Sequence, residues 1–215
     1  LSDDNPYNPN PDTVISGDTT WTYAQTFTCS DNPADYGDNG EYSFNVPNTA
    51  TLNGNLNLSD TENVTVTCEL QPLVPTKDAA GTYDRTVTWT LDKTVAPASH
   101  SGNPGDTFDS TWTVFADKTE VSDNYVVTGS ITISNPAAID QTFTVSDVLD
   151  DGTVASVSCP SDTVPAGGSV VCTYTAGSTY VGPVSGAPDA NTVTVSAPGN
   201  PDQTDTATPI GYTET

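Results

Sequence analysis

Apolar and polar residues alternate with a period of two along most of the chain, and no helical-period window reaches useful length. Val87, Trp89 and Leu91 share one face of Arg85 to Leu91, with threonine on the other. Thr111 to Ala116 repeats the pattern with Trp112 and Val114. Asp123 to Ser134 gathers Tyr125, Val127, Ile131 and Ile133 on one face, and Gln141 to Asp147 gathers Phe143 and Val145. Val154 to Cys159, Ser169 to Tyr174, Asn191 to Ser196 and Thr204 to Thr208 read as further strands. So do Thr20 to Thr28, Tyr42 to Val46, Thr49 to Leu52 and Asn63 to Glu69. Pro, Gly, Asn and Asp fill the gaps, as turns require. Many short strands at this spacing predict an all-β chain, a sandwich or barrel. Trp89 and Trp112 alternate with Val and Leu, which predicts core positions for both; Trp21, in a Thr-rich run, is less defined.

Segments recur in order. Leu1-Ser2-Asp3 matches Val145-Ser146-Asp147, and Asp12-Thr13-Val14 matches Asp162-Thr163-Val164. Thr22-Tyr23 matches Thr173-Tyr174. Asn48 to Leu52 matches Asn191 to Val195, and Ser59-Asp60-Thr61 matches Thr204-Asp205-Thr206. Residues 1–70 therefore read as the second half of a repeat unit, 71–76 as a Pro-marked linker, and 77–215 as a complete unit. Half a sandwich cannot bury its apolar face alone. Its missing strands precede Leu1 in a longer chain, or a neighbouring subunit supplies them by strand addition. The plainer alternative is that residues 1–70 form a smaller complete sandwich.

Three polar residues interrupt apolar faces. Val87, Trp89 and Leu91 lead in phase to Lys93; Phe143 and Val145 lead to Asp147; Asn191 precedes Val193 and Val195. Buried polar groups need one another. Lys, Asp and Asn are the set from which an intramolecular isopeptide bond is built. A buried, neutral lysine amine attacks the asparagine carboxamide, the protonated aspartate relays protons, and ammonia leaves. The alternative is a buried Lys93–Asp147 ion pair with Asn191 alongside.

The segments Trp89-Thr90-Leu91-Asp92-Lys93-Thr94, Val145-Ser146-Asp147-Val148-Leu149 and Asn191-Thr192-Val193-Thr194-Val195 resemble the Ig-like repeats of bacterial and archaeal cell-surface proteins. Those repeats carry a Lys in an early strand, a middle Asp and a late Asn-Thr. The resemblance covers 77–212 well and 1–70 as a partial copy. It implies tandem Ig-like β-sandwiches, the N-terminal one incomplete or completed by another segment or subunit. It also implies the cross-linked type of domain found in surface adhesins and pilus shafts. In the partial copy Asp3 and Asn48 match the Asp and Asn positions, while the Lys position falls before Leu1.

Charge and composition narrow the function. The chain holds 28 acidic residues against 4 basic ones, for a net charge of −24. It cannot grip a phosphate backbone, and an anionic membrane surface would repel it. No apolar run approaches the ~18 residues of a membrane span. Four cysteines predict two disulfides, Cys159 with Cys172 and Cys29 with Cys68, rather than a metal centre. Asp31, Asp35, Asp38 and Glu41 lie in a stretch dense in hard oxygen ligands. Calcium is the ion that such a set admits, although the spacing is not that of an EF-hand. Asn57 and Asn63 head N-glycosylation sequons. One histidine, His100, in a Gly/Ser/Pro-flanked loop, and no nucleophile elbow or phosphate loop argue against an enzyme. The resulting expectation is an extracellular, cell-surface structural protein. It would be a subunit or repeat of a filament, pilus or adhesin stalk whose partner is itself. A calcium- or glycan-dependent adhesion module is the alternative.

Overall fold

The computed structural model describes residues 1–10, 12–54 and 56–215. The chain is all-β. Its strands are β1 (Ser2–Asp3), β2 (Glu41–Leu52), β3 (Leu58–Glu69), β4 (Val74–Lys77), β5 (Ala80–Ala96), β6 (Thr111–Ser134) and β7 (Gln141–Thr142). There follow β8 (Thr144–Leu149), β9 (Ser156–Ser158), β10 (Thr163–Val164), β11 (Ser169–Gly177), β12 (Asn191–Ser196), β13 (Gln203–Ala207) and β14 (Gly211–Glu214).

The larger core lies between two sheets. One runs β14-β5-β6-β11-β9, with β4 also on β6; the other runs β13-β12-β8. Val127, Ile131 and Ile133 of β6 and Cys172 and Tyr174 of β11 meet Leu149 of β8 and Val193 and Val195 of β12. β11 alternates exposed and buried residues along its whole length, the pattern of a sheet with one wet face. The segment 71–76, expected as a linker, supplies β4 and the fully packed Leu73.

The N-terminal part is thinner. β1, β2 and β3 form a three-stranded antiparallel sheet, and no second sheet covers it among the described residues. A second, smaller cluster buries Tyr36, Cys68, Leu70 and Ala137, and brings the end of β3 against the loop after β6. Thr20 to Thr28, expected as a strand, has no ladder partner, although its residues from Trp21 to Thr28 alternate half-buried and exposed. Alternation marks a strand's faces, but a ladder also needs a neighbour to bond with.

The largest departure from expectation lies in β5 and β6. They pair as one hairpin from Ala80↔Thr128 to Ala96↔Thr111. A bulge sets Asn124 and Tyr125 against Tyr83, so pairing shifts between Thr82 and Asp84. Beyond it, the hairpin leaves the body of the molecule. Trp89, Leu91, Trp112 and Val114, expected in the core, are 63%, 74%, 61% and 61% exposed. The pattern gives their common face correctly; none of the described residues covers that face.

Candidate functional site

The site lies in the larger core, where β4, β8 and β12 come together. Val193 pairs with Asp147, and Asn191 lies two residues back along β12 opposite Leu149. Both polar side chains point inward because Val193, Val195 and Leu149 do. Asp147 and Asn191 are completely buried. The lysine that meets them is Lys77, not Lys93. Its Nζ lies 2.5 Å from Asp147 Oδ1, and neither side chain reaches solvent. Asn191 Nδ2 donates to Asp147 Oδ2 at 3.0 Å. Asn191 Oδ1 is buried without a hydrogen-bond partner among the described residues.

Lys93 is excluded from this cluster by the path of β5, which carries it into the projecting hairpin, opposite Val114. Its Nζ sits over the Trp112 ring, 4.6 Å from the centroid. Lys77 was legible in principle. Leu73, Pro75 and Lys77 share one phase, but two prolines disguise the strand as a linker. Pro75 is tolerated because β4 pairs with only one neighbour, β6.

The surroundings fix Lys77 firmly. Its backbone N–H donates to Asp205 Oδ2 at 2.7 Å, and its Nζ lies 4.3 Å from the Tyr174 ring centroid. Tyr174 in turn donates to the carbonyl of Asp78 at 2.6 Å. Gly129, opposite Tyr174 in the ladder, leaves room for this contact. A Cβ there would meet Asp78 O at 2.3 Å.

Burial is the main influence on the Lys77 amine and lowers its pKa, against the opposing pull of Asp147. In a dry interior, moving one proton from Lys77 to Asp147 removes both charges. The neutral amine is then a nucleophile beside a carboxamide, and the protonated Asp147 can donate to the amide oxygen once the amide has turned over. The two ends of an amide are alike in shape. Attack of Nζ on Cγ of Asn191, with proton transfer to the departing nitrogen, yields an amide bond and ammonia. No oxidant or cofactor enters the balance.

Burial also pushes the phenols of Tyr174 and Tyr212 from 10.0 up to about 12. The neutral forms are favoured in the fold, so their contribution is intact below pH 10 and lost as pH rises through about 12. Phenolate absorbance is expected to lag behind that of the exposed tyrosines and to rise together with loss of near-UV dichroism. Early titration of all nine tyrosines before unfolding would contradict this.

The other expected sites divide. Both disulfides form as expected, Cys29–Cys68 and Cys159–Cys172. They point to an oxidising environment. The acidic stretch does not gather into a cage: no group of three or more potential ligands that could hold a metal exists among the described residues. Asp35 accepts from Ser30 and Asn32 in a short turn, and Glu41 opens β2 and accepts from Asn39. Asp31 and Asp38 are exposed beside them. Local turn bonds therefore occupy two of the four carboxylates. Asn57 and Asn63 are both exposed. No described helix is long and apolar enough to cross a membrane.

Comparisons with protein families, with curated proteins and with solved structures find no match to this chain.

Proposed function

We propose that this chain is a structural subunit of an extracellular, cell-surface filament or stalk, built from Ig-like β-sandwiches and assembled by strand complementation between copies. The observation that carries the reading is a pair of unfinished surfaces on one molecule. The β5–β6 hairpin exposes Trp89, Leu91, Trp112 and Val114, and no second sheet covers β1–β2–β3 among the described residues. Contiguous exposed apolar faces mark binding surfaces. Unpaired strands favour strand addition. Mechanical duty also fits the Lys77–Asp147–Asn191 cluster, in which an isopeptide bond would tie β4 to β12 across the core, so that pulling could not separate them.

The test is assembly. The wild-type chain is expected to form extended polymers, seen by electron microscopy and light scattering as concentration rises. Leu91→Asp with Trp112→Asp is expected to leave folded monomers, because the hairpin tip contributes little to its own chain's core. Monodisperse wild-type monomers at every concentration would overturn the reading.

A further inference from the structure

We propose that the N-terminal sheet holds a second cross-linking site, at Asn48, and that Lys93 from the hairpin of another copy of this chain completes it. This rests on the assembly reading above and names its chemistry.

The N-terminal half reproduces the larger site minus its lysine. Asp147 pairs with Val193, and Asn191 lies two residues back on the same strand. Asp3 pairs with Ala50, and Asn48 lies two residues back. On the next strand, Asp205 pairs with Val193 and Asp60 with Ala50. Asp205 is the residue that accepts the backbone N–H of Lys77, and Asp60 has the same register with no lysine strand beside it. Tyr174 lies against the larger site, and its counterpart Tyr23 donates to Asp3 Oδ2 at 2.8 Å. Asn48 Nδ2 donates to the Tyr23 hydroxyl at 2.6 Å. The same atom is then orphaned in both sites: Oδ1 of Asn48, like Oδ1 of Asn191, is shut from solvent without a partner among the described residues. A buried acceptor left unpaired is costly, and its recurrence at equivalent positions marks a built site.

The hairpin carries the missing part. In the larger core, Lys77 of β4 pairs with Ile131 of β6, and Pro75 with Ile133. In the projecting hairpin Lys93 pairs with Val114, and Leu91 with Ala116. Each is a two-stranded unit with lysine opposite an aliphatic residue and apolar residues two positions earlier. β6 is also the ladder partner of β11, whose counterpart in the N-terminal half is the segment 20–28, here unpaired. The hairpin thus offers both strands that the half sandwich lacks, the outer one bearing a lysine and the inner one able to pair with 20–28.

The hairpin carries Arg85, Lys93 and Lys118, three of the chain's four cations, among seven acidic side chains, and residues 1–70 carry eleven acidic side chains and no lysine or arginine. Net charge therefore opposes the contact, and its drive is apolar burial and strand pairing. A lysine entering beside Asp3 becomes desolvated, passes its proton to the carboxylate and attacks Cγ of Asn48. One amide bond forms and one ammonia leaves per junction. A hairpin donor and a separate acceptor on every copy give a heterologous contact, which repeats from copy to copy.

The experiment uses the full chain. Wild type, concentrated and then boiled in detergent with reductant, is expected to run as a ladder of multiples. Peptide mapping is expected to join Lys93 to Asn48 with loss of one ammonia. Lys93→Arg and Asn48→Ala should each stay monomeric in boiling detergent. Mixed together they should give a covalent dimer and nothing larger, since one supplies only the acceptor and the other only the donor. Either variant should keep the mass deficit of one ammonia that a Lys77–Asn191 bond produces, which shows that the larger core has formed. Polymers that fall to monomers in boiling detergent would overturn the bond and leave strand complementation standing. Absence of any polymer would overturn both. A Lys93–Asn48 link found within single chains would overturn the second copy as the occupant.

Discussion

Asp147→Ala is expected to cost the larger core about 3–5 kcal/mol, because it leaves the Lys77 amine buried without its partner. It also removes the acid that is hydrogen-bonded to Asn191, so the chain should keep the full mass of an unlinked protein. Where the bond does form, it closes a loop of roughly 100 residues, worth on the order of 5 kcal/mol by chain entropy alone. Wild type and variant should therefore differ widely in denaturant midpoint. Lys77→Met combined with Asp147→Leu separates the two effects. It removes both charges and fills the space, so it should recover much of the ion-pair loss while remaining unlinked. If Asp147→Ala still loses ammonia, the assignment of Asp147 as proton relay is wrong. If it retains wild-type stability, the pair does not sit in a dry core.

Breaking Cys29–Cys68 is expected to have the next largest effect, and a local one. The bridge spans 39 residues, for which chain entropy gives about 4 kcal/mol. The N-terminal sheet has little else to hold it: one small apolar cluster and the two-residue strand β1. In Cys29→Ser with Cys68→Ser, amide exchange of residues 41–69 should accelerate strongly while β11 and β12 stay protected. The loss of Cys159–Cys172 should matter less, at about 3 kcal/mol for a span of 13, and should act in a region where β11 is already paired with β6 and β9. Equal acceleration in both halves after the first substitution would show that the halves open as one unit.

Two features of the candidate site escaped a reading of alternation, for different physical reasons. Lys77 was hidden because Pro72 and Pro75 are turn residues by local preference, and only tertiary pairing with Ser134 to Ile131 makes the segment a strand. Lys93 was legible as a lysine on an apolar face, since the phase with Trp89 and Leu91 is real, but that face is exposed. Phase states which residues share a face; it does not state what packs on that face or in which molecule. Asp147 and Asn191 were placed correctly because their strands are short and buried, and their neighbours Val145, Val193 and Val195 fix the facing without help from distant sequence. The acidic stretch 31–41 is dense in oxygen ligands by composition, and in the described structure Asp35 and Glu41 accept hydrogen bonds within the loop.

The all-β class, the strand faces, the two disulfides and the repeat that sets Asp3 and Asn48 against Asp147 and Asn191 are all readable from the residues in order. Each of these follows from local stereochemistry or from patterns that recur at fixed spacing. Contacts across the fold set which lysine enters the buried pair and which apolar face of the described structure stays in solvent. Those outcomes depend on contacts between residues far apart in the chain, and a period-two pattern is the same whether its partner lies within the molecule or in the next one.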